Sequence, residues 1–207
     1  MEYVNGLDVS VYQGRVTWSA VRSAGYSFAI ARATEGALYQ DPQFARNITG
    51  IRAAGMVAGA YHYLSWLTPA KPQAASFLRA YKPIDGDLPP MLDIEDCTVG
   101  AEEAIAQISA FLAEVEPHLN GAKMLLYMSL TFPDTFLAGG SDFSGHPLNV
   151  AAYNSDPEPT VPAAWAKATM WQWSDKGRLP GISGNVDLDR FVGTLDELKA
   201  FTLKGIR

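Results

Sequence analysis

The feature that most constrains this chain is a regular alternation of strand and helix signals over about its first 130 residues. Val4 to Val9 reads as a strand. Thr17 then stands as a cap for a short helix with Trp18 and Val21 on one face and Gly25 as its stop. Phe28 to Ala33 is the second strand. Asp41-Pro42 opens the next helix, a cap residue followed by proline in the first turn. Phe44, Ile48 and Ile51 keep helical spacing, and Gly55 ends the helix. Met56 to Leu64 is the third strand, followed by a helix opened by Thr68-Pro69 with Ala74, Phe77, Leu78 and Tyr81 facing inward. Leu88 to Glu95 is the fourth strand. Ile105, Ile108, Leu112 and Val115 mark the helix after it, Pro117 closes that helix, and Ala122 to Ser129 is the fifth strand.

Strands that alternate with helices pair in parallel through right-handed crossovers. Beyond about residue 130 the pattern loosens. Leu148 to Tyr153, Thr169 to Trp173 and Val186 to Phe191 still read as strands, separated by segments rich in Gly, Pro and Asp, and a helix from Thr194 to Phe201 follows. No internal repeat, low-complexity tract or linker divides the chain. The expected fold is α/β, an irregular TIM-like barrel of five β/α units followed by three strands, in a single domain over residues 1–207.

Composition narrows the function classes. No apolar run approaches the ~18 residues of a membrane span, so no membrane insertion is expected. Met1 to Ser10 lacks the basic start and apolar run of a secretory leader. Cys97 is the one cysteine, which rules out an internal disulfide and argues against a cysteine-built zinc site. A net charge of −6 with no basic block argues against nucleic acid as a partner.

The fourth strand carries the first chemical signal. In Leu92-Asp93-Ile94-Glu95 the two acids share one face, with backbones roughly 6–7 Å apart at ~3.3 Å rise per residue. Carboxylates that close cannot both ionise freely, so one holds its proton toward neutrality. Glycoside cleavage needs that pairing, a proton donor for the leaving oxygen and an ionised group for the oxocarbenium-like centre. A solvated turn explains the pair equally well in isolation. Position strengthens it, because catalytic groups collect at the carboxyl ends of barrel strands. Other strands end there in Asp8, Glu35, Tyr61-His62-Tyr63 and Tyr127, and the later segments add Tyr153, Trp171, Trp173 and Asp187.

The motifs occur in a recognisable order: Gly6-Leu7-Asp8-Val9-Ser10 with Tyr12-Gln13-Gly14, Ala33-Thr34-Glu35-Gly36, Gly59-Ala60-Tyr61-His62, Asp93-Ile94-Glu95 and Val186-Asp187-Leu188-Asp189-Arg190-Phe191. From Gly6 to Leu198 the chain resembles glycoside hydrolase family 25, lysozymes (N-acetylmuramidases) of bacteria, fungi and phages. The resemblance implies the same irregular barrel and bacterial peptidoglycan as substrate, with no cofactor or metal. It implies Glu95 as general acid and Asp93 as nucleophile or as stabiliser of a neighbouring-group intermediate, with Asp8 and Asp187 as further acids of the site. Tyr61, Tyr127, Trp171, Glu35 and Tyr153 are the expected sugar contacts. Many members carry a tryptophan before the Ala-Tyr step of the sixth strand, where this chain has Asn149-Val150-Ala151-Ala152-Tyr153. Many also carry a wall-binding module, and none is expected here. A catalytic domain of this kind suits a phage endolysin released through a permeabilised membrane, or a secreted lysozyme without its leader.

Other signals are weaker. Asn185-x-Asp187-x-Asp189 opens like a calcium loop, but Arg190 replaces the turn glycine and no glutamate follows at the twelfth position. His62, His118 and His146 are scattered without ligand spacing. A chitinase-like glycosidase and a non-catalytic glycan-binding barrel remain as alternatives. Four clustered acids that repel one another favour catalysis over mere binding.

Overall fold

The computed structural model describes residues 1–137, 143–154 and 156–206. In chain order the elements are β1 (Tyr3–Val9), α1 (Trp18–Ser23), β2 (Phe28–Glu35), β3 (Tyr39–Gln40), α2 (Phe44–Ala53), β4 (Val57–Tyr63), α3 (Ala70–Ala80) and β5 (Met91–Ile94). There follow α4 (Ala101–Val115), β6 (Leu125–Ser129), β7 (Leu148–Ala151), β8 (Met170–Gly177), β9 (Val186–Val192) and α5 (Leu195–Phe201). The sheet order is β1-β9-β8-β7-β6-β5-β4-β2-β3, and the additional β1–β2 pairing closes eight of these strands into a barrel. β9 runs antiparallel to both its neighbours; the other barrel pairings are parallel. β3 is a short flap on the end of β2.

This is the expected irregular α/β barrel, with two local differences. Where the helix of the fifth unit was expected, the described residues form a wide turn, Pro133–Leu137. The fourth strand is shorter than Leu88 to Glu95, because Pro89 and Pro90 have no N–H to give a ladder. Pro90 still contributes its carbonyl, which accepts the Leu125 N–H at 3.0 Å.

Period-two alternation sorts the side chains into two cores. One face of each strand packs against the helices: Leu7, Val9, Ala29, Ala31, Leu92, Ile94, Leu126 and Trp171 meet Trp18, Ile51, Phe77 and Phe111. The other face fills the barrel with Val4, Phe28, Ile30, Tyr61, Met91, Leu125, Tyr127, Met170 and Phe191. Gly6 is needed at the barrel floor, since a Cβ there would lie 2.1 Å from the Phe28 ring. α5 begins with a capping box, the Thr194 hydroxyl accepting the Glu197 N–H at 3.2 Å, and sends Leu198 into the same interior cluster. The lower barrel is therefore apolar, and the polar interior positions lie toward the carboxyl ends of the parallel strands.

Three expected helix starts differ in detail. Asp41 does not sit at the cap position of α2, whose cap is Gln43. Its Oδ1 accepts the Gln43 N–H at 2.8 Å, while Oδ2 accepts the Val11 N–H at 2.8 Å and Arg32 Nε at 3.2 Å. Asp41 is a buried anchor for Arg32 as well as a turn residue. Thr17 makes no side-chain capping bond, and neither does Thr68, because Pro69 takes the cap position of α3.

Candidate active site

A groove of about 370 Å³ opens at the carboxyl ends of the parallel strands. Asp8, Glu35, Tyr61, Asp93, Glu95, Tyr127 and Asp187 all line it. Strand parity explains the convergence. Asp8 follows Val4 and Gly6 on β1, Tyr61 follows Gly59 on β4, Asp93 follows Met91 on β5, and Tyr127 follows Leu125 on β6. Asp187 is brought in by the antiparallel strand, where it pairs directly with Asp8.

The two central acids have different surroundings. Asp93 is in the sheet, 7% exposed, and its Oδ1 has no hydrogen-bond partner within the described residues. Burial pushes its carboxyl well above the usual range, the Glu95 charge adds to this, and the Arg32 guanidinium opposes it. Glu95 lies just past the strand and is half-buried. Burial, then the charges of Asp96 and Asp187, push it up to about 7. Asp187 is raised to about 6 by burial and by Asp175.

The turn that presents Glu95 is held from outside the barrel. Trp66 Nε1 donates to the Glu95 carbonyl at 2.7 Å, and the indole stacks on Phe132. Asp96 adopts φ 46°, a left-handed conformation that aspartate tolerates better than most residues, and its carboxylate accepts the Tyr63 hydroxyl at 2.9 Å.

One expected sugar contact is misplaced. Trp171 is 1% exposed on the helix-facing side of β8, and its Nε1 donates to the Ala152 carbonyl at 2.7 Å. It has no surface to offer a sugar. Trp173 shares that outer side, 4.5 Å beneath the Arg190 guanidinium. The interior position between them belongs to Gln172, whose Nε2 donates to Asp8 Oδ2 at 2.7 Å. Its Oε1 accepts the Tyr127 hydroxyl at 2.8 Å and the Tyr153 hydroxyl beside it. Tyr153 is thus half-exposed at the edge of the groove. His62 faces away from the groove, stacked on Phe111 and bonded to Thr34 and Gln73; burial lowers its pKa to about 4.

Sequence reasoning missed Gln172, Arg32 and Asp189. Arg32 follows Ile30 on the interior face, lines the groove, and bonds Glu35 Oε2 at 3.0 Å. Its guanidinium carbon lies 5.4 Å from the ring centres of both Tyr12 and Tyr39. Asp189 is fully buried behind Asp8, bonded by Asn149 Nδ2 at 3.0 Å. Counting twos from Asp187 and from Met170 would have found Asp189 and Gln172.

The family model of glycosyl hydrolases family 25 matches residues 7–182. The chain belongs to that family. Lysozyme M1 of Streptomyces globisporus is 33% identical over 214 residues, covering 95% of this chain and 70% of its own. The N,O-diacetylmuramidase of Chalaropsis is 29% identical over 211 residues, covering 95% and 97%. The crystal structure of the bacterial lysozyme from Streptomyces coelicolor superposes with a TM-score of 0.89 at 31% identity, covering 97% of each chain. This family 25 chain is therefore a glycoside hydrolase on the irregular barrel of its relatives, and the acidic groove lies at the end of the barrel where such chemistry is housed.

Proposed function

We propose that this enzyme is a muramidase of bacterial peptidoglycan, hydrolysing the β-1,4 bond between N-acetylmuramic acid and N-acetylglucosamine. The observation that carries the reading is the Glu95 carboxyl, held on the groove wall among other acids and raised to about 7. A carboxyl in that state is half protonated at neutral pH and can donate to a leaving oxygen. The names of the Streptomyces lysozyme and the Chalaropsis muramidase support the substrate.

In this mechanism Glu95 protonates the glycosidic oxygen as the bond breaks, then accepts a proton from the water that completes hydrolysis. Asp93 serves the anomeric centre from the groove floor. The Glu95 charge adds to burial in raising Asp93. Glu95 is the donor because it is the member at the mouth, and Arg32 favours the anion on Asp93. The unpartnered Asp93 Oδ1 is free to take a donor from the substrate's acetamido group or to attack carbon. Asp8 and Asp187 hold the charge balance, and Tyr61, Tyr127, Tyr153 and Glu35 contact sugar. The setting is the bacterial wall, reached by secretion or by release from a phage-infected cell. Among the described residues no helix is long and apolar enough to cross a membrane.

Analysis of the reducing ends released from purified peptidoglycan tests the reading. New muramic-acid ends are expected. Release of N-acetylglucosamine ends alone, or cleavage of chitin in preference to peptidoglycan, contradicts it.

A further inference from the structure

The hydrogen bonds beneath the groove all run one way. Tyr127 and Tyr153 both donate to Gln172 Oε1, and Gln172 Nε2 donates to Asp8 Oδ2 at 2.7 Å. Beside them Asn149 Nδ2 donates to Asp189 Oδ1 at 3.0 Å, while Asp189 Oδ2 has no hydrogen-bond partner among the described residues. The run from the tyrosines ends on Asp8, and Asp189, 0% exposed, lies beside it in register with Gln172. The chain fixes the Gln172 amide. Turned over, its oxygen would face the Asp8 oxygen and lose that bond. A phenol has one hydrogen. With both spent on Gln172, Tyr127 and Tyr153 can offer only lone pairs to the groove.

We propose that Gln172 is a positioning residue that holds Tyr127 and Tyr153 as hydrogen-bond acceptors, so that they meet O–H or N–H donors of the sugar and not a carbonyl oxygen. The inference rests on the glycan-cleaving reading of the groove, and Gln172 acts only through the two tyrosines. Gln172 is 3% exposed, so an amide with merely structural duties would also be costly to lose. The test must therefore separate position from packing.

Two variants do so. Gln172→Leu keeps the bulk and removes every hydrogen bond. Gln172→Glu mimics glutamine when protonated, its carbonyl accepting from the tyrosines and its hydroxyl donating to Asp8. When ionised it has no donor for Asp8 and sets charge against it. The groups facing position 172 are Asp8 from β1, Asp187 and Asp189 from β9, Tyr127 from β6 and Tyr153 after β7. Asp93 and Glu95 lie across the groove with Arg32 the cation opposite, and Asp175 follows on the same strand. This mostly acidic surround keeps the introduced carboxyl protonated at the acid end of the profile.

Kinetics on purified peptidoglycan between about pH 4 and pH 8 give the readout. Gln172→Leu is expected to lose about tenfold or more in kcat/KM across the range, with KM raised as well as kcat lowered. Gln172→Glu is expected to approach wild-type kcat/KM at the acid end and fall to the leucine level at the alkaline end, reversibly. A leucine variant within about twofold of wild type, or a glutamate variant that follows the wild-type profile, overturns the proposal. If the leucine variant does not fold, the glutamate profile decides, because lost packing does not return with acid. Calorimetric titration with N,N′,N″-triacetylchitotriose separates the two readings. A wild-type protein that releases no ends from peptidoglycan sinks the muramidase reading. The Gln172 proposal then stands if Gln172→Leu weakens chitotriose binding about tenfold, and falls if affinity is unchanged.

Discussion

Asp93 and Glu95 share one face of a strand end, yet only Asp93 is held by the sheet. It sits in register between Tyr63 on β4 and Tyr127 on β6, whereas Glu95 lies beyond the last paired residue, Ile94. The sheet buries Asp93 at the groove floor, and the turn leaves Glu95 room at the mouth. On the proposed mechanism, that difference of two residues divides the acid fixed at the groove floor from the one placed to reach a leaving oxygen.

Glu95 is steadied mainly by the Trp66 indole N–H on its carbonyl. Trp66→Phe keeps the stacking on Phe132 and removes that bond. Stability should fall by about 1 kcal/mol, the usual net worth of one hydrogen bond. If the turn must be held for chemistry, kcat on peptidoglycan should fall by about tenfold, more than that small loss implies for folding. Urea unfolding and kinetics on the same preparation check both.

The pH profile should respond to Asp96. After burial, its charge is the largest influence raising Glu95. Asparagine also tolerates the left-handed conformation at this position, so Asp96→Asn should fold. Removing the charge lets Glu95 ionise more readily, so its pKa falls. Because the protonated form is the active one, the alkaline limb of kcat/KM should move down by about 0.5–1 pH unit. An unmoved limb would show that Glu95 does not set it.

Stability should depend on pH through the same carboxyl. Glu95 is raised in the fold from 4.5 to about 7, so between those values the folded protein binds more protons than the unfolded chain. Stability from this source is complete below about pH 4 and is lost as pH rises toward 7. Glu95→Gln should therefore be more stable than wild type by about 1–3 kcal/mol near pH 7 and nearly equal to it near pH 4. Denaturant melts at the two pH values give the comparison. A variant destabilised equally at both would contradict the buried-acid account.

Much of this site was legible because it follows two periodicities. The β/α alternation implied a barrel, and the two-residue strand period put Asp93 with Glu95, while Tyr61 and Tyr127 were expected at the groove from the family resemblance. At β8 the expectation followed residue type and not the period. Trp171 and Gln172 are both buried, one among helices and one inside the barrel, so polarity does not reveal which face is which. An aromatic looked like the better sugar platform, but near the barrel mouth the interior positions are the polar ones. Asp41 was hidden for another reason. As a turn residue before a helix it satisfies a local rule, and nothing local shows that Arg32 will reach it across the end of β2.

The central claim is that Glu95 is the proton donor of a muramidase. Purified peptidoglycan incubated with the wild-type protein and with Glu95→Gln, with reducing ends quantified, tests it most directly. The account predicts muramic-acid ends from the wild type and a loss of about a thousandfold or more in the folded variant, because the amide cannot donate as an acid does. A variant that retains wild-type turnover would contradict it.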